Sequence, residues 1–196
     1  MRPLFSLHQD HELLLPLSEA LDVFARALAG SEAVAPDDLA EFACAFRGFA
    51  DHLHYEKEEH VLLPFIVRHG FDWNGELLEA VRADHSRDRY LIDVLYQAAQ
   101  RKGGLSWDDR RRLAATASTL ADVQRGLAMK QEIELFPEIS VALDPDALDC
   151  LDAELSEFDR HNENSATELR PLISRLMARY GAQSSPQMQL APRYNA

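Results

Sequence analysis

The stretch HLHYEKEEHVLLP, residues 52–64, holds more potential metal ligands than any other short window of the chain. In an α-helix, side chains four residues apart lie one turn apart on the same face. His54 and Glu58 then share a face with Leu62 and Phe65, whose apolar side chains mark the buried side. A buried imidazole and carboxylate need a metal ion or a hydrogen-bond network to offset their desolvation. The alternative interpretation is a charged, solvated helix that is merely rich in histidine.

The composition favours one helical domain. The chain has 196 residues, of which 46% are hydrophobic, enough for a sizeable core. Eight glycines and nine prolines leave long stretches that contain neither residue, which is typical of helices.

The charge of the chain narrows the classes of partner and location. A net charge of −13 and a pI near 5.0 argue against nucleic acid and against an anionic membrane surface as partners. No apolar run approaches the length of a membrane-spanning helix, and residues 1–8 lack a secretory core. We therefore expect a soluble cytoplasmic protein.

Cys44 and Cys150 are far apart and are expected to be two buried, reduced thiols.

Apolar residues spaced three and four apart, with breaks between them, predict five helices. They cover about residues 6–28, 36–69, 74–100, 106–137 and 144–181. Short connections predict an all-α, up-down-up-down four-helix bundle, with the helix at 144–181 appended to it within one domain of residues 1–181. Residues 182–196 lack periodicity and predict a disordered tail.

Two serines are candidates for helix caps. Ser6 is predicted to cap the first helix. Ser106 is predicted to cap the fourth helix, with Asp109 placed three residues later as in a capping box.

Three of the predicted helices each place a histidine on the inner stripe: His11, His54 and His85. One such histidine is more often a satisfied core residue than a ligand. Three at comparable depth on neighbouring helices, with Glu58 one turn from His54, form a metal-site pattern. Imidazole and carboxylate suit iron, zinc or manganese rather than calcium or magnesium, and four protein ligands could hold one ion.

These residues fall in motifs that resemble the hemerythrin-like family, the HHE cation-binding domains. The motifs are LHQDHE at 7–12, HYEKEE at 54–59 leading to LLP at 62–64, ADH at 83–85 and EIELFP at 132–137. The resemblance covers roughly residues 5–145. It implies a four-helix bundle around a non-heme, oxygen-bridged di-iron centre. It also implies oxygen binding, sensing of oxygen or nitric oxide, iron handling, or oxidative chemistry.

The fourth helix departs from the family pattern. There the family repeats the second helix, with a histidine ten residues before the proline and a glutamate six before it, as His54 and Glu58 stand here. Counting back from Pro137 gives Leu127 and Gln131. Leucine has no donor atom, and an amide oxygen is a neutral, weak substitute for a carboxylate. The resemblance therefore implies that one of the two irons lacks a complete set of protein ligands here.

Three residues are candidates to replace the missing ligands. Glu134 lies close to Gln131 on the same predicted face, whereas Glu132 is in register with Glu59 and more peripheral. His161, on the appended helix, could enter the bundle, although a surface position suits its charged neighbours better. Three other histidines are expected to face solvent: His52, His60 and His69.

Three functional hypotheses follow from the sequence. The leading one is a hemerythrin-like protein that binds mono- or dinuclear non-heme iron, or zinc or manganese, through His11, His54, Glu58 and His85. Its role would be sensing, handling or reacting with iron, oxygen, peroxide or nitric oxide. The second is an oxidative enzyme with a small organic substrate beside the metal. The third is a metal-free structural bundle that binds a protein partner.

Overall fold

The computed structural model describes residues 4–30, 34–35, 37–70 and 76–181. Within these ranges the chain is almost entirely helical and forms no strand, which confirms the predicted all-α class. None of the described helices combines the length and apolar character needed to cross a bilayer. The predicted tail at 182–196, and the expected helix starts at Pro36 and Asn74, lie outside the described residues.

The described residues form five helical rods. In chain order, the first rod is α1 (Phe5–Ala29). The second rod covers residues 38–68 and contains four segments: α2 (Asp38–Ala45), the π-helical segments π1 (Phe46–Tyr55) and π2 (Glu58–Leu62), and α3 (Leu63–Arg68). The third rod is α4 (Glu76–Ala99) and the fifth is α7 (Pro145–Tyr180). The fourth rod covers residues 107–142 and contains α5 (Trp107–Lys130), the π-helical segment π3 (Gln131–Leu135) and α6 (Phe136–Ala142).

The first four rods alternate in direction. His11 near the start of α1 contacts Gln131 late in the fourth rod, and Glu58 late in the second rod lies against His85 early in α4. At the other end of the bundle, Phe24 late in α1 packs on Phe42 early in the second rod, with ring centroids 5.0 Å apart. These contacts confirm the predicted up-down-up-down bundle.

The fifth rod packs along α1 and the second rod. Leu151, Leu155, Ile173 and Leu176 form its buried stripe. Gly48 in π1 permits the close approach, because a Cβ there would meet the Leu169 side chain at 2.8 Å. The appended helix of the sequence prediction is therefore part of the bundle wall.

Two prolines come directly after the π-helical turns. Pro64 and Pro137 sit at the second residue of α3 and α6, immediately after π2 and π3. Proline has no N–H and its ring clashes with the carbonyl one turn back, whereas a wider π turn shifts that carbonyl away. Both rods therefore continue past their proline, and the fourth extends to Ala142 rather than ending at Pro137 as predicted. The two π segments begin at equivalent positions, Glu58 and Gln131.

One of the two predicted caps is confirmed and the other is wrong. Ser106 and Asp109 form a complete capping box at the start of α5. Ser6 lies inside α1, whose N-cap is Leu4, and its hydroxyl donates a hydrogen bond to Asp159 of α7 instead. A carboxylate from another rod thus replaces the local backbone as the partner of this serine.

The prediction of two buried thiols is wrong. Cys44 and Cys150 are both free and exposed. Cys44 lies between the buried Ala43 and Ala45 but faces outward, and Cys150 lies on the outer face of α7. Residue type suggested burial, but the position of each cysteine on its helix decided the exposure.

Candidate metal centre

The carboxylate of Glu58 lies at the centre of the site and is fully buried. Its Oε1 is 3.8 Å from His54 Nε2 and accepts a hydrogen bond of 2.7 Å from Gln131 Nε2. Its Oε2 lies 2.8 Å from His85 Nε2. Glu58 therefore divides the site into a first half on the His54 side and a second half on the His85 side.

The first half brings three donors together. One ligand atom each from His11, His54 and Glu58 lies within 4.8 Å of the other two, and all three side chains are buried. His11 Nε2 also lies 2.8 Å from Gln131 Oε1. Ligands bound to one ion at about 2.1 Å lie roughly 3–4 Å from one another. Small side-chain movements would therefore let the three donors share an ion.

The second half contains a pair of buried polar atoms that lack hydrogen bonds. Glu58 Oε2 and His85 Nε2 are 2.8 Å apart, yet neither makes a hydrogen bond of acceptable geometry. Such atoms cost free energy unless a partner satisfies them, and a cation would be one such partner. Leu127, one turn before Gln131 on the fourth rod, is also buried and has no donor atom.

An outer carboxylate orients each of the three histidines. The pairs, all through Nδ1, are His11 with Glu132 at 2.8 Å, His54 with Asp10 at 3.1 Å, and His85 with Glu59 at 2.8 Å. A carboxylate can only accept, so Nδ1 of each histidine carries a proton, and Nε2 is the ring nitrogen left to bind a metal once any proton on it is lost. Paired carboxylates of this kind fix the tautomer that a metal ligand requires.

The charges of the site are strongly coupled. Burial works to lower the pKa of His85, but Glu58 and Glu59 outweigh it and raise that pKa to about 9. The hydrogen bond from His11 is the main cause that lowers the pKa of Glu132 to about 2. Burial works to raise the pKa of Glu58, but the charges of the neighbouring histidines lower it overall. The carboxylates of Glu58 and Glu132 therefore stay charged at neutral pH. His85 is protonated at that pH, so a metal that bound to it would displace a proton.

A comparison of the sequence with protein-family models covers the region that contains this site. The family model of the hemerythrin HHE cation-binding domain matches residues 2–139, most of the chain and nearly all of the four rods that meet at Glu58. The chain belongs to the hemerythrin HHE cation-binding family. Searches of curated proteins and of solved structures each found no match. The HHE match ends before α7 begins.

A hydrogen-bonded cluster of Tyr55, Asp88 and Gln124 lies beside the second half. The Tyr55 ring stacks on His85, with centroids 4.1 Å apart, and its hydroxyl donates to Asp88 Oδ2. Gln124 Nε2 donates to the same Asp88 oxygen at 2.7 Å. Burial raises the pKa of Asp88 to about 7 although the Tyr55 hydrogen bond opposes this. Hydrogen-bonded side chains therefore flank this side of His85.

The structure does not bring all of the candidate ligands to the centre. Glu132 reaches His11 and His8 rather than the Glu58 carboxylate. Glu134 is exposed, because π3 turns Gln131 and Leu135 inward instead. His161 is also exposed, and its Nδ1 bonds to the Glu157 carbonyl within α7. Of the three candidate replacements, Glu132 thus lies in the outer part of the site, whereas Glu134 and His161 lie at the surface, the position that the charged neighbours of His161 favoured.

Sequence reasoning missed several residues of the outer site. Asp10 and Lys57 lie inside the HHE motifs, so their position could have suggested a role. Lys57 is nevertheless 2% exposed, which lysine rarely is unless it is paired. Asp159, which pairs with Lys57, lies outside the matched region, and nothing in its local sequence marks it. The expected outward position of His52, His60 and His69 is confirmed.

Proposed function

We propose that this HHE protein holds one non-heme iron ion through His11, His54 and Glu58. The observation that supports this is the approach of two imidazoles and one carboxylate to within 4.8 Å. This donor set is the one used by mononuclear non-heme Fe(II) sites, which leave positions open for a small molecule. Zinc or manganese would suit the same atoms less specifically.

The donor inventory supports one ion rather than two. Beyond the first half, the described residues around Glu58 offer the imidazole of His85 and the neutral amide of Gln131. Gln131 already bridges His11 and Glu58 by hydrogen bonds. His85 would then act as a further donor near the Glu58 carboxylate, and a second ion would lack a complete set of ligands.

The proposed role is to sense, handle or react with oxygen, peroxide or nitric oxide, or with iron itself, in the cytoplasm. A bound iron ion would supply open coordination positions and one-electron chemistry. The chain itself orients the ligands and shields them from water. Phe136 stacks on His11 at 5.5 Å and Tyr55 on His85 at 4.1 Å, so apolar ring faces cover the imidazoles.

An enzyme with an organic substrate has less support. One cavity of about 520 Å³ lies between α1, π1 and α7, and another of about 400 Å³ lies near Phe24 and Leu28. The residues that line these two cavities do not include His11, His54, Glu58 or His85. Neither cavity would therefore place a substrate against the metal.

Thermal unfolding with and without metal tests the proposal. Anaerobic Fe(II) at 100 times its dissociation constant should stabilise the folded protein by about 2.7 kcal/mol, which is roughly 5–10 °C in Tm for a chain of this size. The stabilisation should disappear in His54→Ala. It should persist in His52→Ala, because His52 is exposed on the same rod. Equal midpoints with iron and with chelator would instead support the metal-free bundle.

A further inference from the structure

Lys57 is a buried cation whose hydrogen bonds link three rods. Its Nζ donates to Ser6 Oγ at 2.7 Å and to Asp10 Oδ2 at 2.8 Å, both on α1. The same Nζ lies 2.6 Å from Asp159 Oδ1 on α7. An ammonium has three protons to donate, so each of these oxygens uses one. A buried charge satisfied in this way holds its partners in fixed positions.

Asp10 connects this cation to the metal centre. The Oδ2 that accepts from Lys57 also accepts from His54 Nδ1, at 3.1 Å. The orientation of the His54 ring, and the direction of its Nε2 lone pair toward Glu58, therefore depend on where Lys57 holds the Asp10 carboxylate.

The far end of this chain of contacts lies outside the HHE match. Asp159 belongs to α7, whereas the match ends at residue 139. Asp159 Oδ2 accepts a hydrogen bond of 2.5 Å from Ser6, so its two oxygens hold both Ser6 and Lys57. By contrast, the Glu59 partner of His85 is held by Arg89 of α4, within the matched region.

We propose that Asp159 is a positioning residue for His54. Through Lys57 and Asp10, the C-terminal rod sets the tautomer and orientation of one metal ligand. This inference rests on the proposed function for its effect on metal binding, but its effect on the His54 tautomer can be measured in metal-free protein. A merely structural role for Asp159 would affect stability alone.

The test compares Asp159→Asn with Glu154→Gln in the full-length protein. Glu154 is also on α7 and pairs with Arg68 at 3.2 Å, but that pair is exposed and does not reach Lys57. Both substitutions are nearly isosteric and remove one negative charge. Two quantities are measured in each: Fe(II) affinity by competition with a chelator, and the His54 tautomer in metal-free protein from two-bond ¹⁵N–¹H spectra.

Asp159→Asn should weaken Fe(II) binding about three- to tenfold, less than the 10–100-fold cost of losing a direct partner of a ligand. It should also reduce the Nδ1–H population of His54, while Glu154→Gln changes neither quantity. If Asp159→Asn changes only the unfolding midpoint, or only one of the two quantities, the inference is overturned. If the wild-type protein binds no iron, the proposed function fails, and the tautomer alone decides whether Asp159 positions His54.

Discussion

The second and fourth rods share a backbone design but differ in their ligands. Both contain a π segment that begins at the equivalent residues Glu58 and Gln131, and both then continue through a proline. The next residue in each rod, Glu59 or Glu132, holds the Nδ1 of a histidine on another rod. The register, the irregular turn and the outer carboxylate are thus common to both.

The two rods differ in the side chains at two equivalent positions. The second rod presents the imidazole of His54 and the charged carboxylate of Glu58, whereas the fourth presents Leu127 and the amide of Gln131. Gln131 remains fully buried and hydrogen-bonds to both His11 and Glu58. The bundle therefore keeps its shape with an amide at position 131, because hydrogen bonds to His11 and Glu58 satisfy that buried side chain.

Restoring the missing ligands should have the largest effect. The double substitution Leu127→His with Gln131→Glu makes the fourth rod chemically equivalent to the second. We expect bound iron to rise from about one to about two ions per chain, measured by elemental analysis after anaerobic loading. Gln131→Glu alone is the control for added charge and should stay near one. A double variant that folds and still binds one ion would show that the rods are not equivalent.

Asp88, which lies beside the second half of the site, should make the stability of the metal-free protein depend on pH. Folded Asp88 keeps its proton up to about pH 7, whereas an unfolded aspartate ionises near 3.8. The folded state binds more protons between these values, so stability from this group falls as pH rises. Relative to Asp88→Asn, wild-type unfolding free energy should drop by up to about 4 kcal/mol between pH 4 and 7. Parallel urea-unfolding curves for the two proteins would contradict this.

The equivalent positions 58 and 131 should differ in their importance for metal affinity. Glu58→Gln removes a charged ligand and should weaken Fe(II) binding at least 100-fold, about 2.7 kcal/mol. Gln131→Ala removes a neutral neighbour and should weaken it by roughly tenfold or less. Chelator competition measures both. Equal losses at the two positions would mean that Gln131 is itself a ligand.

The smallest effect concerns how the two rods begin, far from the metal. The fourth rod starts with the Ser106–Asp109 capping box, whereas Asp37 makes no side-chain cap bond at the start of the second. Ser106→Ala should lower the unfolding free energy by about 1 kcal/mol, and Asp37→Ala by much less. Neither should alter metal content. A change in iron binding from Ser106→Ala would show that the two ends of the bundle are coupled.

The periodicity of the sequence was sufficient to predict the rods and the inward side of each. It placed His11, His54, Glu58 and His85 at buried positions, as the structure has them. The reason is physical, since the spacing of apolar residues records which face of a helix is buried. The register count from the prolines also identified Leu127 and Gln131 as equivalents of His54 and Glu58.

The sequence did not indicate the parts that depend on contacts between distant residues. The prolines are the only sign of the π turns in the sequence, because a shift in backbone hydrogen bonding requires no particular side chain. Lys57 would be expected at the surface, because burying its charge costs free energy that the carboxylates of Asp10 and Asp159 offset. Ser6 was interpreted as a cap because its partner lies 153 positions away in the chain.

If one half of the HHE site is complete and the other is not, the chain should bind a single iron ion. The most direct test is an anaerobic titration of metal-free wild-type protein with Fe(II), followed by removal of unbound iron and elemental analysis. We predict saturation at one ion per chain, with the His54→Ala variant binding none. Saturation at two ions per chain would contradict this account, and so would a wild-type protein that retains no iron.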